Sequence, residues 1–121
     1  MFKYKSSKES GGKSWVFQRI TGIILVVFAI GHYILMHFHP ENGKTYAAVL
    51  ARMQYPWYRL IDIVFVTFAL YHGLNGIYSI FRDYNLKQWT KITILTVIIV
   101  SGLAFIFWAY SIILSIPYIK Q

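Results

Sequence analysis

Cysteine is absent from the 121-residue chain, which excludes a disulfide framework, a thiolate-held iron–sulfur cluster, a zinc knuckle and covalent c-type haem attachment within it. Acidic side chains are nearly as scarce, with four Asp and Glu against twelve Lys and Arg, and charged residues of every kind make up only 13% of the chain. An ordinary soluble domain carries about a quarter of its residues as charges. Half that density, together with 57% hydrophobic and 19% aromatic residues, points to an outer surface that faces lipid and argues against a soluble catalytic domain. The length allows one domain at most. A net charge of +8 would mark a nucleic-acid binder if the basic residues shared one solvated face. They lie instead in short stretches between long apolar runs, so membrane topology explains them and no nucleic-acid partner is expected.

Three such runs are present. The first, residues 16–38, holds only Arg19, His32 and His37 as basic residues and no acidic one, and about 20 residues cross the hydrocarbon core. The second, residues 57–81, is opened by Pro56 as a helix-start signal and closed by the polar group Arg82-Asp83-Tyr84-Asn85-Leu86-Lys87. The third, residues 92–116, carries no charge and stops at Pro117. A cleavable signal peptide would be shorter and end on small residues, whereas His37-Phe38-His39-Pro40 is bulky. The first run is therefore read as a retained span. The expected fold is an all-α membrane protein with three transmembrane helices, residues 1–15 being a cytoplasmic arm and 16–121 the membrane domain. Between the first two spans a short helix is expected around Tyr46 to Met53, with Glu41-Asn42-Gly43 as its turn.

Orientation follows from the basic residues, because cytoplasmic ends carry the excess of Lys and Arg. Lys3, Lys5, Lys8, Lys13 and Arg19 precede or open the first span, and Arg82, Lys87 and Lys91 follow the second; only Lys44, Arg52, Arg59 and Lys120 lie on the other side. The amino end is thus expected in the cytoplasm and the carboxyl end outside. Trp15, Trp57, Tyr58, Trp89 and Tyr118 suit the aromatic belts at the two interfaces. The first 13 residues, rich in Lys, Ser and Gly, are expected to be extended and to pair with a partner or with anionic headgroups.

Backbone groups are satisfied inside each helix, so polar side chains at membrane depth are the informative letters. His32 and His72 both lie well inside apolar runs. A neutral imidazole at that depth either bonds to a neighbouring helix, the ordinary structural role, or binds a metal. Around His72 the sequence favours the metal. Gly76, four residues on, shares its helix face and removes bulk one turn away, the clearance a flat macrocycle needs. Asn75 and Ser79 continue the stripe with polar groups for a porphyrin edge or an adjoining helix. His32 follows Gly31 and has Phe28 and Met36 one turn to either side, a large apolar contact surface for a ring; glycine here serves close helix packing equally well. Haem iron accepts a histidine from each face. A chain of three helices supplies only part of two such pairs, which implies a second membrane chain. His37 and His39, near the outer interface, have ordinary interfacial roles as their first reading, with haem propionates or a proton exit as the second.

Ser14 and Arg19 open the first span and Arg82-Asp83-Tyr84 close the second, so antiparallel neighbours bring them to one depth. Hydroxyls and a guanidinium just below the headgroups can hydrogen-bond the two carbonyls of a quinone, and Asp83 can deliver protons or hold Arg82. Such residues also serve simply as interfacial anchors.

The stretch Ser14-Trp15-Val16-Phe17-Gln18-Arg19-Ile20-Thr21-Gly22-Ile23-Ile24-Leu25, followed by Gly31-His32, resembles the first helix of cytochrome b membrane anchors of succinate dehydrogenases and fumarate reductases. His72, with Gly76 and then Asp83-Tyr84, resembles the second helix of the small hydrophobic anchor. The resemblance covers about Ser14 to Tyr84; the third span matches in length and character only. It implies half of a haem-binding helical bundle in respiratory complex II of the tricarboxylic acid cycle, in the cytoplasmic membrane. His72 would be an axial ligand of the haem b nearer the cytoplasm, completed by a companion cytochrome b anchor subunit. His32 would ligate the outer haem b of a two-haem anchor. Tyr84 would bond a quinone oxygen, with Asp83 as its acidic neighbour. Ser14 and Arg19 resemble the larger anchor's serine and arginine, although four residues separate them here where that pattern has three. An iron–sulfur subunit and a flavoprotein subunit would complete the assembly and carry the succinate chemistry.

Two alternatives stand beside this reading. In one, both histidines bind a single haem within this subunit, because bare spacing from the span ends puts them at nearly the same depth. In the other, the chain is a non-redox three-helix scaffold or transporter component whose histidines are structural.

Overall fold

The computed structural model describes the backbone of residues 7–38 and 43–118, with side chains from residue 12 onward. Lys3, Lys5, the first residues of the amino-terminal arm, His39, Glu41 and Asn42 of the turn, and Lys120 lie outside the described residues. Four helices follow one another: α1 (Ser7–Phe38), α2 (Tyr46–Met53), α3 (Pro56–Asp83) and α4 (Gln88–Ser115). Three are long and apolar enough to cross a membrane, over Gly12–Phe38, Pro56–Asp83 and Gln88–Ser115. The short α2 has the expected bounds.

Each helix begins and ends where local chemistry dictates. Thr45 caps α2, its side-chain oxygen accepting from the Ala48 amide at 3.2 Å. Pro56 occupies the first turn of α3, where its missing amide hydrogen costs nothing. Ile116 is extended ahead of Pro117, so α4 stops at Ser115. The one departure is at the start. Residues 7–13, expected to be extended, continue α1 as helix. Once a long apolar helix is formed, adding turns to its end involves no further nucleation, and Lys and Glu propagate a helix well.

The central element is α3, which packs against α1 on one side and α4 on the other, with α2 across its amino-terminal end. The contacts fix an antiparallel register on both sides. Against α1, His72 meets Gln18 and Thr21 while Phe65 meets Phe28. Against α4, Leu74 lies over Gly102 and the Thr67 and Tyr110 hydroxyls are 2.5 Å apart. A methyl group on Gly102 would stand 2.6 Å from Leu74 Cδ1, so the Leu74 side chain seats on α4 at this glycine.

Almost no large apolar side chain is sealed inside the chain. Met53 is the buried apolar one among the described residues, and Thr21 and Arg59 are buried polar ones. Ile23, Val27, Phe107 and Trp108 all face outward. In lipid such a surface is in its proper solvent, and helices associate through small and polar residues instead.

The end of the bundle at which α3 begins is tied by arginines. Arg59 Nε donates to the Met53 carbonyl at 2.6 Å, Nη2 donates to the Ile116 carbonyl at 2.7 Å, and the guanidinium lies 3.8 Å from the centre of the Tyr118 ring. The carbonyls it satisfies are those left unpaired at the ends of α2 and α4. Arg52 donates to the Gly43 carbonyl at 2.9 Å and reaches the Met36 sulfur at 3.5 Å, which joins α2 to the end of α1.

Candidate functional site

A polar ladder runs between α1 and α3 in the half of the bundle nearer the amino end. Ser14 Oγ donates to Asn75 Oδ1 at 2.9 Å, and Asn75 Nδ2 donates to Gln18 Oε1 at 2.6 Å. Gln18 Nε2 donates in turn to the His72 carbonyl at 3.0 Å. The His72 ring then meets α1 through Nδ1, which is 3.2 Å from both the Gln18 carbonyl and Thr21 Oγ1. Its other nitrogen, Nε2, has no hydrogen-bond partner among the described residues. Ser79 turns back on its own helix and donates to the Asn75 carbonyl at 2.8 Å.

The glycines around this ladder divide the work differently from the sequence reading. Gly76 was expected to clear space for a macrocycle, but a Cβ there would stand 3.2 Å from Gln18 Nε2, so Gly76 admits the α1 side chain. Gly73 is the residue beside His72 with open space, since a Cβ would meet nothing within 4 Å. On α1, a Cβ at Gly22 would come 3.1 Å from His72 Cε1.

His32 lies at a different level. Its ring centre is 5.8 Å from that of Phe65, which also stacks on Phe28 at 5.9 Å. Phe65 precedes His72 by seven residues on α3, and Thr21 precedes His32 by eleven on α1. At 1.5 Å per residue the two imidazoles are therefore separated by about 10 to 16 Å along the bundle. Two clefts flank His32. One, of about 410 Å³, is lined by Val27, Phe28, Gly31, His32, Leu35, Tyr58, Ile61 and Asp62. The other, of about 440 Å³, is lined by Ala29, His32, Tyr33, Met36, His37, Lys44 and Phe65. A Cβ on Gly31 would meet nothing within 4 Å. His37 stacks on Tyr33 at 4.1 Å, and its Nδ1 is 3.0 Å from the Tyr33 carbonyl.

Where α1 opens and α3 closes, the expected cluster is not brought to one depth, because Ser14 is level with Asn75, about 13 Å along α3 from Tyr84. Ser14 is engaged in the ladder, and the Arg19 guanidinium lies 3.7 Å from the centre of the Trp15 ring. Asp83 and Tyr84 are exposed at the end of α3, where Tyr84 is the C-cap. No hydrogen bond joins Ser14 or Arg19 to Asp83 or Tyr84 among the described residues. Arg82 faces a small recess shared with Tyr78, Phe81, Leu86, Lys91 and Ile94.

Sequence reasoning gave no role to three residues. Gln18 and Thr21 were read only as letters of a resembling stretch, although Ser14, Gln18 and Thr21 recur at helical spacing on one face. Asp62, a carboxylate within the second span, lies within electrostatic range of His32 and Arg52. A charge in an apolar run is itself the signal that would have found it.

The residues present fit a haem better than a metal ion held by side chains alone. Among the described residues no group of three or more His, Asp or Glu converges as a ligand set. A macrocycle supplies its own equatorial nitrogens and asks the protein only for an axial donor with a free nitrogen, which His72 has.

The family model for the succinate dehydrogenase/fumarate reductase transmembrane subunit matches residues 3–113. A succinate dehydrogenase hydrophobic membrane anchor subunit from Archaeoglobus fulgidus is 25% identical over 60% of this chain and 62% of its own length. One from Rickettsia typhi is 28% identical over 68% of this chain and 64% of its own. The succinate dehydrogenase 2 membrane subunit SdhC of Mycobacterium tuberculosis is 34% identical over 63% of this chain and 56% of its own. The chain thus spans about three fifths of the length of these relatives.

Proposed function

The chain belongs to the succinate dehydrogenase/fumarate reductase transmembrane subunit family, and we propose that it is a haem b-binding membrane anchor that carries electrons between a soluble iron–sulfur subunit and membrane quinone. As a multi-pass membrane protein it holds the soluble subunits at the bilayer; the flavin and succinate chemistry belongs to them. The amino end lies in the cytoplasm and the membrane is the cytoplasmic one. The observation that carries the reading is His72, an imidazole at membrane depth with Nδ1 engaged on α1 and Nε2 left without a partner.

His72 would hold the haem nearer the cytoplasm through its Nε2, and His32 would hold an outer haem. Two imidazoles that face one iron from opposite sides must sit at one level, and the offset between these two favours separate haems. A companion anchor subunit supplies the opposite ligands. Bound there, each haem provides a one-electron relay that divides the crossing of the bilayer into shorter steps. The protein's part is to fix the imidazoles and to present apolar walls. Around His32 those walls include Phe28 and Phe65, with Lys44 at the outer edge of one cleft as a cation for a propionate.

The quinone site lies at the cytoplasmic ends of α1 and α3. The Tyr84 phenol donates to one quinone oxygen, and Asp83 beside it exchanges the proton that accompanies reduction. Ser14 and Arg19 stand apart from this pair: Ser14 is level with Asn75, to which it already donates, about 13 Å along the bundle from Tyr84, and the Arg19 guanidinium is held over the Trp15 ring beside it. Tyr84→Phe is expected to lower quinone turnover about tenfold, the effect of one lost hydrogen bond of about 1.4 kcal/mol in the transition state, while haem content stays unchanged. Steady-state turnover with a soluble quinone checks it.

Affinity purification through a tag on this chain tests the assembly. A companion anchor, an iron–sulfur protein and a flavoprotein should co-elute, and succinate should reduce the b-type chromophore. Recovery of a colourless chain without those partners would contradict the reading and favour the non-redox scaffold.

A further inference from the structure

His72 meets α1 in a way that does more than join two helices. The Gln18 carbonyl can only accept a hydrogen bond, and Nδ1 lies 3.2 Å from it. Thr21 Oγ1, also 3.2 Å from Nδ1, already directs its own hydrogen to the Phe17 carbonyl at 2.7 Å, so toward the imidazole it presents a lone pair. Both neighbours of Nδ1 are acceptors, and the nitrogen must carry the proton. In a neutral imidazole the other nitrogen then holds the free electron pair. Gly22 completes the seat: a Cβ there would stand 3.1 Å from His72 Cε1 and 3.7 Å from Nδ1, so a side chain at this position would press the ring away from α1 by a few tenths of an ångström.

We propose that the Gln18 carbonyl, Thr21 and Gly22 form a positioning cradle on α1 that fixes His72 in the Nδ1-protonated tautomer, holds its ring plane, and raises the basicity of Nε2 as a haem ligand. The proposal rests on His72 being an axial ligand. A ligating histidine whose other nitrogen donates to an acceptor is oriented by it and becomes the stronger donor to the metal. A more basic imidazole stabilises ferric over ferrous iron, so the cradle lowers the midpoint potential of the inner haem. Thr21 is 2% exposed, the most completely buried polar side chain among the described residues.

The experiment uses the assembled complex with substitutions in this chain, read by potentiometric titration of the haem and by the ferric low-spin electron paramagnetic resonance spectrum. Thr21→Val keeps the shape and removes one of the two acceptors. The inner haem should stay bound, with its oxidised-to-reduced equilibrium shifted two- to tenfold toward the ferrous form, a rise of up to about 59 mV for this one-electron couple. Thr21→Ser, which restores the oxygen, should return the potential to the parent value; a merely structural role for Thr21 would leave the potential unmoved in both. Gly22→Ala keeps both acceptors but pushes on Cε1, and should alter the largest g value of the inner haem. It also serves as the test if the valine variant fails to assemble.

Parent potentials and spectra in both Thr21→Val and Gly22→Ala, or a parent spectrum in Gly22→Ala where that variant alone assembles, would overturn the cradle. Full haem content in His72→Ala would instead overturn the ligand assignment on which it rests, so the two failures are distinguishable.

Discussion

His72→Ala is expected to halve the haem content of the purified complex, from two b-type haems to one, with the inner haem lost entirely. Alanine has no donor atom, and the flanking residues of α3 offer none in its place, because Tyr71 and Gly73 lie off the His72 face. The rival structural role gives a different result. If His72 only tied α3 to α1, its removal would cost the hydrogen bond at Nδ1, about 1 kcal/mol, and leave the colour intact. The ladder itself would survive, since Gln18 Nε2 bonds to the backbone carbonyl of residue 72 and not to its side chain. His32→Ala serves as the matching control and should remove the outer haem alone. Pyridine haemochrome counting of each variant makes the comparison directly.

Arg59→Ala is expected to cause the largest loss of stability of any single substitution in the chain, about 3 kcal/mol, given two charge-assisted hydrogen bonds of about 1.5 to 3 kcal/mol each and partial relaxation. The guanidinium is buried at 5% exposure, and it joins the end of α2 to the chain leaving α4, where Gln54 Nε2 also donates to the Leu50 and Pro117 carbonyls. Truncation leaves the Met53 and Ile116 carbonyls without these donors and takes the cation from the Tyr118 ring. Arg59→Lys keeps the charge but offers no planar fork for two diverging carbonyls, and should recover less than half of the loss. Denaturant unfolding of the complex in detergent, followed by near-ultraviolet circular dichroism, measures it. Arg59 lies in the first turn of α3, at the end of the bundle away from His72. The spectrum of the inner haem should therefore stay unchanged in the folded fraction, which separates this effect from loss of a ligand.

The spans were readable because lipid imposes a one-dimensional rule: an apolar run of sufficient length must be a helix that satisfies its own backbone. Turn chemistry signalled α2 as well, through Glu41-Asn42-Gly43 ahead of it, whereas its cap, Thr45, is seen only in the structure. The start of α1 was misjudged because composition describes solvation better than it describes how far a nucleated helix propagates. The site was legible in part. His32, His72 and Tyr84 announce themselves as polar or aromatic letters in telling positions, but which helix a polar face meets is a tertiary fact. Gly76 shows the difference: its spacing from His72 is right for a cleared face, yet Gln18 from another helix takes up that space. The relative depth of His32 and His72 is a second case. Counting from the span ends made them nearly level, whereas their actual neighbours, Phe65 for one and Thr21 for the other, set them about two to three helical turns apart.

The most direct measurement is a reduced-minus-oxidised optical spectrum of the native complex with haemochrome quantitation. Two b-type haems per copy of this chain are expected, with a Soret band that shifts on reduction. A pure, fully assembled complex with no Soret absorption would contradict the assignment of His32 and His72 as ligands.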